Sequence, residues 1–207
     1  MRGKFLVFEG IDGSGKTTQL KLLGEKLSAW GYQVLYTREP GGTRIGETVR
    51  ELLLDPQHSE LVPVAEALLY AAARAQHVAQ VIFPALQEGK IVLCDRFFDS
   101  SLAYQGFGRG MEISLLQQIN VAAIAGVFPD LVIVLDLNSE TGMERINLSE
   151  RAADRIEQEA DEFLEKVRAG YLSLAGGDPS HYRVIDANGS IEKVQEDIVR
   201  AVEEILR

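Results

Sequence analysis

Gly10-Ile11-Asp12-Gly13-Ser14-Gly15-Lys16-Thr17 matches the pattern G-x-x-x-x-G-K-[ST] in full. It lies between an apolar run, Phe5 to Phe8, and a helix-like stretch that opens Thr17-Thr18-Gln19-Leu20. Strand, glycine loop and helix in that order are the setting in which such a loop wraps backbone around a polyphosphate. Glycines tolerate the unusual dihedrals, consecutive N–H groups point inward, and the helix N-terminus adds partial positive charge. Gly10 to Thr18 is therefore read as a phosphate cradle, with Lys16 reaching the outer phosphate oxygens and Thr17 holding a Mg²⁺. A glycine-rich turn of no function would match the pattern but not its surroundings.

Working outward, four further apolar runs carry a strand signal: Gln33 to Tyr36, Ile91 to Cys94, Leu131 to Leu135 and Tyr182 to Ile185. Helical patterns separate them, and that alternation predicts an α/β fold with a parallel five-stranded sheet and helices on both faces. Ligands of such sheets sit beyond the carboxyl ends of the strands, so the residues after each run are the ones to inspect. They include Arg38-Glu39-Pro40-Gly41-Gly42-Thr43 and Asp95-Arg96. Asp95, at the end of a strand neighbouring the cradle, is placed to hold Mg²⁺ with Thr17. Gly46 to Leu54 reads as a short helix presenting Arg50, and Pro63 opens a long one on which Tyr70 and Arg74 share a face. Ser114 with Gln117 resembles a capping box.

The 207 residues fit one domain, and 46% hydrophobic content is ordinary for a globular chain. A formal net charge of −10 argues against a nucleic-acid or anionic-lipid surface, because polyanions are met by clustered Lys and Arg. The apolar tract from Leu61 to Leu86 is broken by Glu66, Arg74 and His77, so it reads as a buried helix and not a membrane span. Cys94 is the single cysteine and the first residues are charged too early for a secretory signal; a cytoplasmic location is expected.

In so acidic a chain, the arginines spread over distant segments stand out: Arg38, Arg50, Arg74, Arg96, Arg151 and Arg155. Transfer of a phosphoryl group between two anions needs such a set, because guanidinium forks neutralise the repulsion. Each alone could be an ordinary surface residue. A GTPase switch is the other obvious use of the cradle, but Ile185-Asp186-Ala187-Asn188 lacks the Asn-Lys-x-Asp element expected there. The stretch Ser149 to Glu159 is charged and has no apolar stripe, and a segment at about 145–158 reads as a moving lid within the single 1–207 domain.

Together, Glu9 to Thr18, Arg38 to Thr43, Ala71 to His77, Asp95 to Gly106, Phe128 to Leu131 and Asp154 to Glu159 resemble the bacterial thymidylate kinases over essentially the whole chain. The resemblance implies the three-layer P-loop kinase fold, transfer of the γ-phosphoryl group of ATP to dTMP with Mg²⁺, and a homodimer. It implies that Arg74 bonds the thymine edge, that Gln105 reads the pyrimidine beside Ser101, and that Tyr104 crowds the sugar 2′ position. Tyr70 stands where the family usually stacks a Phe on the base. Arg38, Arg50 and Arg96 would hold the acceptor phosphate and Asp12 would meet its 3′-hydroxyl; Glu39, read apart from the resemblance, is a candidate for ordering the site arginines or water near the metal, and a solvated loop carboxylate is its other reading. The cradle carries no arginine, so the chain resembles the branch whose catalytic arginine comes from the lid: Arg151 first, Arg155 second. Kinases for other pyrimidine monophosphates and a non-catalytic ATP-binding module are the competing readings.

Cys94 and the stripe of Leu20, Leu23 and Leu27 with Trp30 are expected in the core. His77 reads as a helix-packing histidine that borders the pocket at most.

Overall fold

A computed structural model describes residues 3–148, 154–156 and 159–206. The five runs form β1 (Phe5–Glu9), β2 (Val34–Arg38), β3 (Ile91–Asp95), β4 (Leu131–Asp136) and β5 (Tyr182–Asp186). They pair in the order β2-β3-β1-β4-β5, all parallel. β1 lies in the middle, so the loop that leaves it opens between the ends of β3 and β4, where the chain changes direction across the sheet.

Alternation along β1 supplies both faces. Leu6 and Phe8 pack with Leu20, Leu23 and Leu27 of α1 (Lys16–Ala29) and with Val194, Ile198 and Val202 of α9 (Ile191–Leu206). Phe5 and Val7 pack on the other side with Cys94, Phe97, Tyr104 and Tyr171. That second layer contains α3 (Pro63–His77), α4 (Phe83–Gln87), α5 (Phe98–Ser101), α6 (Ile113–Ile124) and α8 (Asp161–Gly177), with α2 (Arg44–Leu54) against α3 and α7 (Ser139–Asn147) against α8. Trp30 is not core: it follows the last turn of α1, 40% exposed, with Lys26 over its ring. α6 is capped by Glu112, whose carboxylate accepts from the Ser114 and Leu115 N–H groups, in place of the Ser114 and Gln117 box.

The Leu61 to Leu86 tract is not one regular buried helix. Between α3 and α4 it widens into a π-helical turn, Val78–Ile82, just before Pro84. A proline inside a helix has no N–H and its ring crowds the carbonyl one turn back, and a wider turn makes room for it. α3 is also inverted. Glu66, Arg74 and His77 face the interior, whereas Val64, Leu68, Ala72 and Ala75, then Ala79 and Phe83, form an exposed apolar stripe. Among the described residues no helix is long and apolar enough to cross a membrane.

Candidate active site

The loop between β1 and α1 is shaped by close approach. Gly10 has φ 135°, and a Cβ there would stand 2.5 Å from the Leu135 carbonyl oxygen; at Gly13, φ 79°, it would stand 2.4 Å from that of Gly142. Only glycine fits both the dihedral and the space. Lys16 Nζ donates to the carbonyls of Gly10 (3.1 Å) and Ile11 (2.9 Å) and lies 3.9 Å from Asp12. Burial, with the Arg96 charge nearby, lowers its pKa. Thr17 donates its hydroxyl to Asp95 Oδ2 at 2.7 Å, at the rim of a cavity that also takes in Gly13, Gly15, Lys16 and Thr18.

Arg96 governs the cavity's far wall. It is a non-glycine residue at φ 71°, a conformation that costs about 1–2 kcal/mol and persists only where surroundings impose it. Nη1 donates to Gly10 O, Ser100 Oγ and Tyr171 OH, and Nη2 donates to Asp12 Oδ1 (2.8 Å) and Tyr104 OH (3.1 Å). Burial opposes both charges, but each stabilises the other: Asp12 is held well below the usual carboxylate range by Arg96 and Lys16, and Arg96 well above its own. Behind them Glu9 is buried and accepts from Phe97 N, Ser100 Oγ and Tyr171 OH. Burial raises its pKa against the pull of Arg96.

A second cavity adjoins the first. Asp12, Glu39, Arg50, Arg96 and Asp154 belong to both. Tyr70, Arg74, Ser101, Tyr104 and Gln105 line it, together with Ile156. Arg74 is 1% exposed and almost fully engaged by protein: Nε donates to Glu39 (2.7 Å), Nη1 to Ser101 and Asn120, and Nη2 to the Phe97 carbonyl. One Nη2 hydrogen is left for a ligand. Glu39 is buried, not a solvated loop carboxylate; its other oxygen takes His77 Nδ1 at 3.0 Å, and His77 Nε2 meets Thr37 Oγ1 at 2.6 Å. His77 therefore braces Glu39 from within the helix layer. Tyr70 brings its ring to the cavity, and burial, with Glu66 adding, raises its hydroxyl pKa.

Arg38 reaches the phosphate cavity from β2, tied to Glu47 at 2.8 Å, and Arg50 donates to Pro40 O. Burial, followed by repulsion from Arg38, lowers the Arg50 pKa, as expected of cations gathered round a place for an anion. The structure thus brings together Lys16, Arg38, Arg50 and Arg96, and sets Arg74 next door. Arg151 lies outside the described residues. Arg155 turns away from the cradle: Nε donates to Leu53 O (2.8 Å) and Nη2 to Glu66, because the bare carbonyls ending α2 and a buried carboxylate together make a better cation site.

Three participants were not anticipated from sequence. Arg145, assigned to the lid, sits on α7 and donates to the Gly13 and Ala187 carbonyls, beside a further cavity behind the cradle that includes Thr18 and Gly189. Asn120 on α6 and Tyr171 on α8 belong to no sequence motif, and their polar tips hold Arg74 and Arg96.

Residues 8–198 match the family model described as Thymidylate kinase. Thymidylate kinase of Pelotomaculum thermopropionicum is 66% identical over 100% of this chain and 95% of its own length, and that of Desulforudis audaxviator 56% over 90% and 84%. A crystal structure of thymidylate kinase from Ehrlichia chaffeensis superposes with TM-score 0.79 at 36% identity, covering 98% of this chain and 99% of the other.

Proposed function

Because the chain belongs to the thymidylate kinase family, whose members phosphorylate dTMP to dTDP with ATP as donor, we propose that its two adjoining cavities hold these nucleotides nose to tail. The observation that carries the reading is the shared wall of Asp12, Arg50 and Arg96: a monophosphate whose base fills the inner cavity presents its phosphate there, facing the cradle. Thymine lies against Tyr70, Arg74, Ser101 and Gln105, and Tyr104 crowds the sugar where a ribose would carry its 2′-hydroxyl. Asp12 turns toward the sugar 3′-hydroxyl, while Arg38 frames the phosphate from the β2 loop and Glu39 beside it holds Arg74 for the nucleotide. The ATP phosphates lie along Gly10 to Thr18, and Arg145 borders a place for the donor base.

The acceptor phosphate is already anionic, so no strong general base is required, and positioning with charge neutralisation does the work. An acceptor oxygen attacks the γ-phosphorus in line, and the bond to the β–γ bridging oxygen breaks, leaving ADP. Lys16, Arg96 and, from the lid, Arg151 neutralise charge on the transferring group; Arg155 anchors the lid instead of reaching it. A Mg²⁺ fits beside Thr17 and Asp95: two hard oxygen donors touch there at the cavity rim, and among the described residues no cluster of three metal-ligating side chains competes. When bound, the ion supplies neutralisation of phosphate charge.

A homodimer belongs to the same reading. The stripe of Val64, Leu68, Ala72, Ala75, Ala79 and Phe83 is a continuous exposed apolar surface beside Leu115 and Val121 of α6, the kind of face a second copy covers. The location proposed is the cytosol, where a lone free thiol such as Cys94 is kept reduced. An ADP-release assay across dTMP, dUMP, dCMP and AMP, with ATP and then GTP as donor, tests the activity. The fastest turnover is expected with dTMP and ATP. Transfer to none of the acceptors would point to a regulatory ATP-binding module, and preference for another monophosphate would reassign the inner cavity.

A further inference from the structure

Glu66 lies in the first turn of α3, fully buried, and touches neither the cradle nor the shared wall. Its Oε1 accepts from Gln105 Nε2 at 2.7 Å and from Arg109 Nε at 2.8 Å, and its Oε2 accepts from Arg155 Nη2. So heavily donated a carboxylate is more than packing needs. We propose that Glu66 is a specificity-setting positioning residue: by holding the Gln105 amide nitrogen it leaves the amide oxygen for the base cavity, which then selects pyrimidines bearing a ring N3–H over those with a bare N3.

The orientation follows from the donor and acceptor inventory. A side-chain amide has one donating and one accepting end, and an ionised carboxylate only accepts, so at 2.7 Å the nitrogen must face Glu66. Gln105 lines the inner cavity, and its oxygen is the end that remains for it. Thymine and uracil offer N3–H to such an oxygen; cytosine offers a lone pair and is repelled. The arrangement depends on Glu66 staying charged. Burial pushes its pKa up, but the hydrogen bonds from Arg109 and Gln105 and the Arg109 charge outweigh that and bring it below its ordinary value. The neighbourhood of an α3 N-terminal turn favours the anion as well. Arg155 ties the same carboxylate to the lid side, where Asp154 and Ile156 close the cavity.

The proposal rests on the reading that Gln105 faces the pyrimidine, and the experiment separates the two. The ratio of kcat/KM for dTMP to that for dCMP is measured in the wild type and in Glu66→Gln, Gln105→Ala and Arg109→Gln. A glutamine at 66 can donate to the Gln105 oxygen and let that amide flip. The ratio is therefore expected to fall roughly tenfold to a hundredfold, through the KM for dTMP and not its kcat. Gln105→Ala is expected to lower it as much. Arg109→Gln, which removes the leading support of the Glu66 anion without touching the amide, is expected to lower the Tm and to make the ratio fall as the pH is lowered, because Glu66 then takes up a proton more readily. A wild-type ratio in Glu66→Gln with a collapsed one in Gln105→Ala overturns the role of Glu66 alone. A wild-type ratio in Gln105→Ala overturns the reading of Gln105 and the proposal with it. Should Glu66→Gln fail to fold, a crystal structure of the wild type with dTMP decides: Gln105 is expected to keep its contact with Glu66 while its other amide atom meets N3, and an amide swung off Glu66 refutes the proposal.

Discussion

The two halves of the site are built from different materials. The phosphate side is mostly backbone: Gly10 and Gly13 pressed against the carbonyls of Leu135 and Gly142, with Lys16 satisfied by the loop's own oxygens. The nucleoside side is mostly side chain, and three of its long polar groups each lean on a carboxylate: Arg74 on buried Glu39, Arg96 on half-buried Asp12 with buried Glu9 behind, and Gln105 on buried Glu66. A backbone cradle comes preformed with the strand and helix that carry it. A side-chain pocket needs a second row to hold the first in place, because long side chains otherwise keep their rotamer freedom.

If that contrast is sound, damage to the phosphate side appears in kcat and damage to the second row in KM and stability. The largest effect is expected for Lys16→Ala. It removes a charge from the cradle while the glycine geometry stays, so kcat should fall by about 10²–10³ or more with the unfolding midpoint little changed. Steady-state kinetics beside a thermal melt checks this, and near-normal turnover would remove Lys16 from the chemistry. Next comes Glu39→Gln. It leaves Arg74 buried with an amide in place of its anion and breaks the brace to His77. Disrupting a buried pair costs about 3–5 kcal/mol, part of which solvent entering the open cavity returns. A KM for dTMP raised about tenfold and a lower Tm are expected, with the KM for ATP unmoved. A shift in the ATP constant instead would show that Glu39 serves the donor side.

The same contrast explains what could be read from sequence. The cradle is contiguous, so eight residues displayed it, and all five strands lie within two residues of where the apolar runs placed them. Arg96 and Asp95 were legible because they end a strand next to that loop. The second row was not, because its members are single polar residues inside apolar helices. Glu66 looked like an interruption of a hydrophobic tract, and Asn120 and Tyr171 like ordinary helix residues. One signal was present. Glu66, Tyr70, Arg74 and His77 recur at helical spacing opposite Val64, Leu68, Ala72 and Ala75, the pattern of a helix that turns its polar face inward to a site and its apolar face outward. The cap at Glu112 and the exposure of Trp30 depend on loop geometry that no periodicity encodes.

A smaller effect is expected from Asp99, a second-row carboxylate with no cation of its own. Its Oδ1 accepts from Tyr182, its Oδ2 has no partner, and burial with the nearby Glu9 charge raises its pKa from 3.8 to about 7. From about pH 4 to about 7 the unfolded chain has released this proton while the folded chain keeps it, so the group's contribution to stability declines as pH rises and levels off above about 7. Asp99→Asn carries no charge at any pH. Its Tm is expected to gain on the wild type by several degrees between pH 5 and pH 8. A gap constant with pH would show that the folded carboxyl is ionised throughout.

The smallest effect is expected at Tyr70, where the second row is missing. Its ring lines the inner cavity, but among the described residues no hydrogen bond takes its hydroxyl, and burial raises that hydroxyl's pKa. Removing a polar group that has no partner forfeits no bond and spares its desolvation. Tyr70→Phe should therefore leave the KM for dTMP within about threefold of wild type or slightly lower, with kcat unchanged. The preference for dTMP over dUMP should also persist, since it depends on a methyl contact worth about 1–3 kcal/mol that either ring can shape. Kinetics with the two acceptors decides the matter. If the variant's KM instead rose tenfold for both, the hydroxyl would have to bond the nucleotide directly, and the nucleoside side would contain a polar contact that stands without a carboxylate behind it.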